Sequence, residues 1–325
     1  MGNWKLPIER SAEPAAPYKM ATIARLTSFS PQRLRAWERR YELLRPQRGP
    51  GGHRLYGRDD LRVLLAVREL LDAGRSIGEI NDIGRRALLG KELRPSEASR
   101  RVEQWTHDIV EAAQRMDERT LQGVLDDAVG SLEPEHAVER VVLAAQRRIG
   151  ALWSRGQCTI ASEHMATGIF VHRLRSLVEA ETAQAPPGAL RVLGACLPGE
   201  RHELGLLAVG YSLAIRGART TMLGADLPFP DLREACTVLA PRAILLSVSG
   251  QGLFEARKAE LLDLREQLDA TTAIVLGGSG APLHDLDLEA SAVMVMSSVM
   301  PPSGAAQSLI DVLQSPGFTL AQSAK

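Results

Sequence analysis

Cysteine is scarce in this chain, with three residues in 325. Cys158, Cys196 and Cys236 lie far apart and in no CxxC spacing, so neither a disulfide framework nor a cysteine-built metal site is expected. A reducing cytoplasm is the simple setting. Long apolar runs are missing as well: nothing reaches the roughly 20 residues that a bilayer span needs, so no membrane is expected as a partner. The first 17 residues, with Pro7, Pro14 and Pro17 among mixed charges, lack the apolar core of a secretory signal and read as a disordered arm. Net charge is absent too, at 39 Lys+Arg against 39 Asp+Glu, but the balance is a cancellation. Residues 18–75 hold 13 Lys/Arg and 6 Asp/Glu, which leaves 26 and 33 for the rest. A basic end joined to an acidic remainder points to an anionic partner for the former, nucleic acid above all. No internal repeat is evident. What is there, 45% hydrophobic and 24% charged residues, excludes a disordered chain, a collagen or a coiled rod.

The chain divides into an arm (1–17), a basic domain (18–90), a helical domain (97–183) and a C-terminal domain (189–325). Lys91 to Ser99, with Pro95, and Ala185-Pro186-Pro187-Gly188 serve as linkers. Within 97–182, helical periodicity is broken at Met116-Asp117, Ser131 to Pro134 and Gly156 to Ser162, which fits a four-helix bundle. Beyond it five short apolar runs alternate with helices: Arg191 to Leu197, Thr220 to Leu223, Ala243 to Val248, Ala273 to Leu276 and Ala292 to Met296. Buried runs of that length predict a doubly wound parallel sheet, so the fold class is α/β plus all-α.

In the basic end, Ser30 suits an N-cap and Pro31 the first position of a helix running to about Tyr41. At 100° per residue Leu34, Trp37 and Tyr41 share one face. Gln32, Arg35 and Arg39 fall on the other, with Arg33 and Arg40 along a flank. With the short helix Met20 to Leu26 before it, this forms a helix-turn-helix whose second helix fits a major groove, where Arg and Gln read base edges. Arg48-Gly-Pro-Gly-Gly-His53-Arg54-Leu-Tyr56 reads as a tight hairpin wing offering Arg48, His53, Arg54 and the Tyr56 hydroxyl to phosphates. The stretch from Met20 to about Ile83 closely resembles the winged-helix domain of MerR-family transcription regulators. The shared residues are Leu34-Arg35-x-Trp37-Glu38-Arg39-Arg40-Tyr41, Pro46, Arg54-Leu55-Tyr56 and the helix from Asp59 to Ala73. Membership implies dimeric binding to double-stranded operator DNA and a ligand-sensing C-terminal part.

In the acidic remainder, Glu200-Arg201-His202-Glu203-Leu204-Gly205 follows the first strand, at the edge where open α/β sheets bind ligands. An imidazole is a good transition-metal ligand, and a carboxylate two residues away can fix its tautomer. Ser247 ends the third strand and Gly277-Gly278 the fourth, on the side that faces His202. ExHxxG, then Ser, then Gly-Gly resembles the cobalamin-binding domain of methionine synthase and the adenosylcobalamin mutases. The resemblance implies His202 as cobalt's lower ligand, Glu200 as its orienter, and Gly205, Ser247, Gly277 and Gly278 along the channel for the nucleotide tail. Glu200 stands for the commoner Asp, and Ser249 where Leu is frequent.

In the helical middle, Trp153 is followed by Glu163-His164 across a helix break. Trp in a bundle is ordinarily core, and Glu-His at a helix start is ordinarily a cap. The spacing nonetheless resembles the helical cap of the adenosylcobalamin-dependent, light-sensing MerR-type regulators related to CarH and LitR. That implies Trp153 packing on the 5′-deoxyadenosyl group, Glu163 accepting from its hydroxyls and His164 alongside. Ser154 replaces a histidine found beside this Trp in some relatives, leaving His136 and His172 as other imidazoles for the upper face. The resemblance implies a light-responsive repressor, not an enzyme: an oligomer, dimer or tetramer, that binds its operator with adenosylcobalamin in the dark. The alternatives are a light-independent B12 sensor, a MerR regulator that has lost the cofactor, and a mutase or methyltransferase subunit. For the last, no 200-residue stretch remains for a substrate barrel.

Overall fold

The computed structural model describes residues 18–27, 29, 31–41, 43–49, 52, 54–72, 77–90, 97–282, 284–298 and 300–315. The arm at 1–17, the Ser30 cap, the Gln32 side chain and His53 lie outside them. The chain divides into two compact units, meeting at Arg100 and Arg101.

In the first unit, β1 (Tyr18–Lys19) leads into α1 (Met20–Thr27) and α2 (Pro31–Arg40). There follow β2 (Gln47–Arg48), β3 (Arg54–Tyr56), α3 (Arg58–Asp72), α4 (Ile77–Ile83) and α5 (Arg85–Gly90). The strands form an antiparallel sheet in the order β1-β3-β2, and Arg48 pairs with Arg54 across the wing. Leu34 and Trp37 of α2 are buried against Ile23, Val63, Leu64 and Val67, as their spacing on one helical face requires. Asp60 is buried and fully used. It accepts from the Arg45 and Gly57 backbone amides at 2.9 and 3.0 Å and pairs with Arg85 at 2.8 Å, tying both ends of the wing to α5.

One wing residue is not where the sequence reading put it. Tyr56 is 0% exposed and its ring lies in this core, so it has no surface with which to meet a phosphate. The last residue of β3 points inward because alternate strand residues face opposite sides and the inner side is apolar. Its hydroxyl is 3.5 Å from Glu38 and 3.7 Å from the Met20 sulfur, and burial together with Glu38 pushes its pKa up to about 12.

The boundary falls within α6 (Glu97–Gln114), whose remainder opens the second unit, followed by α7 (Glu118–Ser131). Then α8 (Pro134–Ala137) passes through a π-helical stretch, Val138–Val142, into α9 (Leu143–Trp153), followed by α10 (Ile160–Ala183). The breaks carry side-chain caps: Asp117 accepts from the Thr120 amide and Thr159 from the Ser162 amide, both at 3.0 Å. The rest alternates β4 (Arg191–Cys196), α11 (Leu204–Ile215), β5 (Arg219–Gly224), α12 (Phe229–Leu239), β6 (Ala243–Ser247), α13 (Gln251–Gln267), β7 (Ala273–Gly277), α14 (Leu286–Ala290), β8 (Val293–Val295) and α15 (Pro302–Gln314).

All five strands are parallel, in the order β5-β4-β6-β7-β8, and each falls on one of the five apolar runs. The order reverses at β4, which opens the crevice at its carboxyl end where such sheets take ligands. Helices and sheet are not separate bodies. Leu204, Leu207, Ala208 and Tyr211 of α11 belong to the same core as Phe170, Leu174 and Val178 of α10, so the linker at 185–188 lies inside one unit. Polar contacts fasten the join: Arg216 grips Glu135 at 2.5 and 3.1 Å, Arg175 meets Glu203 at 2.5 Å, and the Ser303 amide donates to Glu139 at 2.7 Å.

Candidate cofactor site and DNA-facing helix

The loop leaving β4 is folded around a carboxylate. Glu200 is 2% exposed, yet all of its capacity is met. Oε1 accepts from the His202 amide at 2.8 Å and contacts His202 Nδ1 at 2.7 Å. Oε2 accepts from the Ser249 amide at 2.5 Å and its hydroxyl at 2.6 Å. Burial alone would raise its pKa, but the Ser249 hydroxyl, the two backbone amides and the imidazole outweigh that and hold the carboxyl at about 2. An ionised acceptor at Nδ1 makes that nitrogen the protonated one, so Nε2 carries the lone pair. The His202 side chain is 77% exposed, and among the described residues Nε2 has no protein partner.

Such a donor set suits a metal that arrives already held by another ligand frame. One imidazole cannot make a metal site alone, and among the described residues no group of three or more His, Cys, Asp or Glu could hold an ion. A corrin brings its own nitrogen ligands to cobalt, and His202, oriented through Nδ1, would hold that metal through its open Nε2. The residues present therefore fit a cobalamin.

The strand ends line up beside this loop. Cys196, Ser247 and Gly277 are register partners across β4, β6 and β7, so all three close the same edge of the sheet. A Cβ added at Gly205 or Gly277 would meet nothing within 4 Å, leaving open space at both positions. Gly278 differs. Its φ is +102°, and a Cβ there would overlap the Val248 carbonyl, so this glycine answers to the packing of the β6 and β7 loops.

In the helical part, Glu163 lies one turn into α10 with its side chain mostly covered. Its Oε1 accepts from Gln146 Nε2 at 2.8 Å and from the Thr167 hydroxyl at 2.7 Å. His164 is exposed, 3.7 Å from the same carboxylate. Trp153 ends α9 with 49% of its surface exposed, an unusual place for a tryptophan that only packs a core. Ser154, His136 and His172 are exposed as well.

The first unit presents Arg35, Arg39, Arg40 and Arg48 at its surface. Arg33 is stacked, its guanidinium 5.0 Å from the Trp37 ring and 5.7 Å from Phe29, with Phe29 edge-on to Trp37 at 4.8 Å. Arg54 holds Glu38 through Nε at 2.8 and 2.7 Å, and this pair braces wing to helix.

Sequence reasoning missed Ser249 as the second support of Glu200, and it missed Gln146, Thr167 and the Arg175–Glu203 pair. Only the repeated serine in Ser247-Val248-Ser249 could have suggested the first. Thr167 stands one helical turn from Glu163, a spacing that could have pointed to it; Gln146 and the Arg175–Glu203 pair come from positions too far apart in sequence to show a pattern.

A winged helix-turn-helix with an arginine face, joined to a helix-covered parallel sheet carrying an oriented histidine, defines a DNA-binding regulator fused to a corrinoid-binding module. The MerR HTH family regulatory protein model matches residues 18–86, and the B12 binding domain model matches 105–177, on the helices preceding the sheet. The chain is 33% identical over 286 residues to the HTH-type transcriptional repressor CarH of Myxococcus xanthus, covering 86% of this chain and 94% of that protein. It is 32% identical to the repressor CarA of the same organism, over 82% and 88%. Dimethylamine corrinoid protein 3 of Methanosarcina acetivorans is 23% identical over 55% and 85%. The chain belongs to the family of MerR-type regulators with a B12-binding domain that includes CarH and CarA. No helix among the described residues is long and apolar enough to cross a membrane.

Proposed function

We propose that this protein is a cytoplasmic, light-responsive transcription repressor that binds operator DNA as an oligomer with adenosylcobalamin in the dark and lets go on illumination. The observation that carries the reading is the buried, ionised Glu200 holding His202 with Nε2 turned to solvent, in a chain whose other unit displays an arginine-bearing helix. When bound, adenosylcobalamin supplies a Co–C bond that light breaks and an adenosyl group that distinguishes the two states.

The chain's own residues bind and read out. His202 gives the lower ligand and Glu200 keeps its tautomer, while Ser247, Gly205, Gly277 and Gly278 line the channel for the nucleotide tail. Trp153 packs on the adenosyl group, Glu163 accepts from its hydroxyls and His164 stands alongside. Residues 97–183 thus act as a cap on 189–325, and 18–90 reads DNA through Gln32, Arg35, Arg39 and Arg40. Arg48, His53 and Arg54 of the wing meet phosphates, and Arg33 on its aromatic shelf flanks them. Shifting a population from 1:99 to 99:1 needs about 5.5 kcal/mol of differential binding, within reach of a desolvated nucleoside contact repeated across an oligomer. A light-independent B12 sensor uses the same residues, and Ser154 in place of a neighbouring histidine favours it.

The test is the visible spectrum of purified protein with adenosylcobalamin, before and after green light, alongside mobility shift on operator DNA and gel filtration. Dark-state DNA binding and a larger assembly, both reversed by light, are expected. Cobalamin uptake with DNA binding indifferent to light would select the B12 sensor; no uptake at all would reject both.

A further inference from the structure

Gln146 sits at the centre of a polar cluster in the helical part. From α9 its Nε2 reaches across to α10 and donates both to Glu163 Oε1, at 2.8 Å, and to the Thr167 hydroxyl oxygen, at 2.8 Å. Thr167 in turn donates to that same Glu163 Oε1 at 2.7 Å. One carboxylate oxygen is therefore occupied twice, by neutral donors belonging to the helices. Among the described residues the other, Oε2, has only the exposed His164 ring at 3.7 Å, beyond hydrogen-bond reach. The Gln146 carbonyl oxygen, Oε1, is fully buried and has no hydrogen-bond partner among the described residues.

A buried acceptor without a donor costs stability unless something supplies one. Amide reversal does not cure it: turned over, the carbonyl would face the Glu163 carboxylate and lose a charge-assisted bond. Gln146 Oε1 is thus enclosed, and Glu163 Oε2 is left as the acceptor oxygen that a ligand can reach. Whatever completes it must bring hydroxyl or amino groups. A bare methyl group offers no donor at all, and a water offers one small donor group against the several hydroxyls of a nucleoside.

We infer that Gln146, with Thr167, is a positioning residue that fixes Glu163 with Oε2 turned to the upper ligand, and that this acceptor-only seat selects a polyhydroxylated nucleoside over a methyl or aquo ligand. The inference rests on the cobalamin reading above and assigns to the Gln146–Thr167 pair the choice among cobalamin forms. Glu163 provides the contact; Gln146 and Thr167 decide where the contact points. Because the seat lies in the helical part and His202 in the β4 loop, choice of upper ligand and grip on cobalt are separable.

The experiment uses the full chain, titrated in the dark with adenosylcobalamin, methylcobalamin and hydroxocobalamin and followed by absorbance. The variants are Gln146→Leu, which keeps the volume and removes the donor, and Thr167→Val, which removes only the second support. Wild type should bind adenosylcobalamin most tightly. Gln146→Leu should lose about tenfold on adenosylcobalamin, the usual cost of a hydrogen bond to a charged group, and Thr167→Val less. Both should stay within about twofold of wild type on the other two forms, which a merely structural role would not allow. Equal losses on all three cobalamins, or undiminished adenosylcobalamin preference in Gln146→Leu, would overturn the inference while leaving cofactor binding intact. Wild-type protein that takes up all three equally would do the same, and one that takes up none would sink the cofactor reading with it.

Discussion

Glu200 keeps a full charge where a lone carboxylate would be expelled or protonated, and the reason is that four donors converge on its two oxygens. One of those contacts, from the His202 ring, was legible in the sequence because Glu and His stand two residues apart on one loop. The two from Ser249 were not, since 47 residues of chain separate it from the imidazole that it also approaches at 3.2 Å. Tyr56 illustrates the reverse error: a motif named the residue correctly, but only the strand's alternation decides which side it faces. A residue-scale test follows from the exposure of His202. His202→Ala should still fold, because little of the side chain is packed, and should lose about 1–3 kcal/mol of stability for the one donor of four removed from the buried Glu200 carboxylate. The bound cobalamin should show the spectrum of a form without the protein imidazole; a variant spectrum identical to wild type would remove His202 from the site.

At the scale of elements, the five strands and the helices of the bundle were readable because each depends on local chemistry: apolar runs of strand length, a capping Asp117 or Thr159, a proline at a first turn. The π-helical stretch at Val138–Val142 was not, for it arises inside an uninterrupted helical pattern. Loop glycines divide by cause. Gly278 exists because the β7 exit must turn through positive φ beneath the Val248 carbonyl. Gly278→Ala should therefore cost about 1–3 kcal/mol from backbone strain, and more from the overlap, lowering the thermal midpoint by several degrees. Thermal unfolding with and without cobalamin checks this, and an unchanged midpoint in the apo protein would deny the packing role.

For the whole molecule, the two compact units imply two separable tasks. Arg35→Ala or Arg39→Ala, on exposed positions of α2, should abolish operator binding while cobalamin uptake and its spectrum stay as in wild type. Mobility shift and absorbance on the same preparations measure both, and retained operator affinity in both variants would move the reading face elsewhere. Inside the second unit, cap and sheet share one core, and Arg175 of α10 pairs with Glu203, the neighbour of His202. Periodicity, capping and short spacings act through neighbours in the chain, so the order of elements, the basic helix, the Glu-x-His pair and hence the family can be read directly from the residues in order. Tertiary structure alone decided that Tyr56 is core, that Ser249 completes the support of Glu200, that Gln146 aims Glu163, and that bundle and sheet are one body. Each of these is a contact between residues distant in sequence, where burial and hydrogen-bond satisfaction select partners that no local pattern announces.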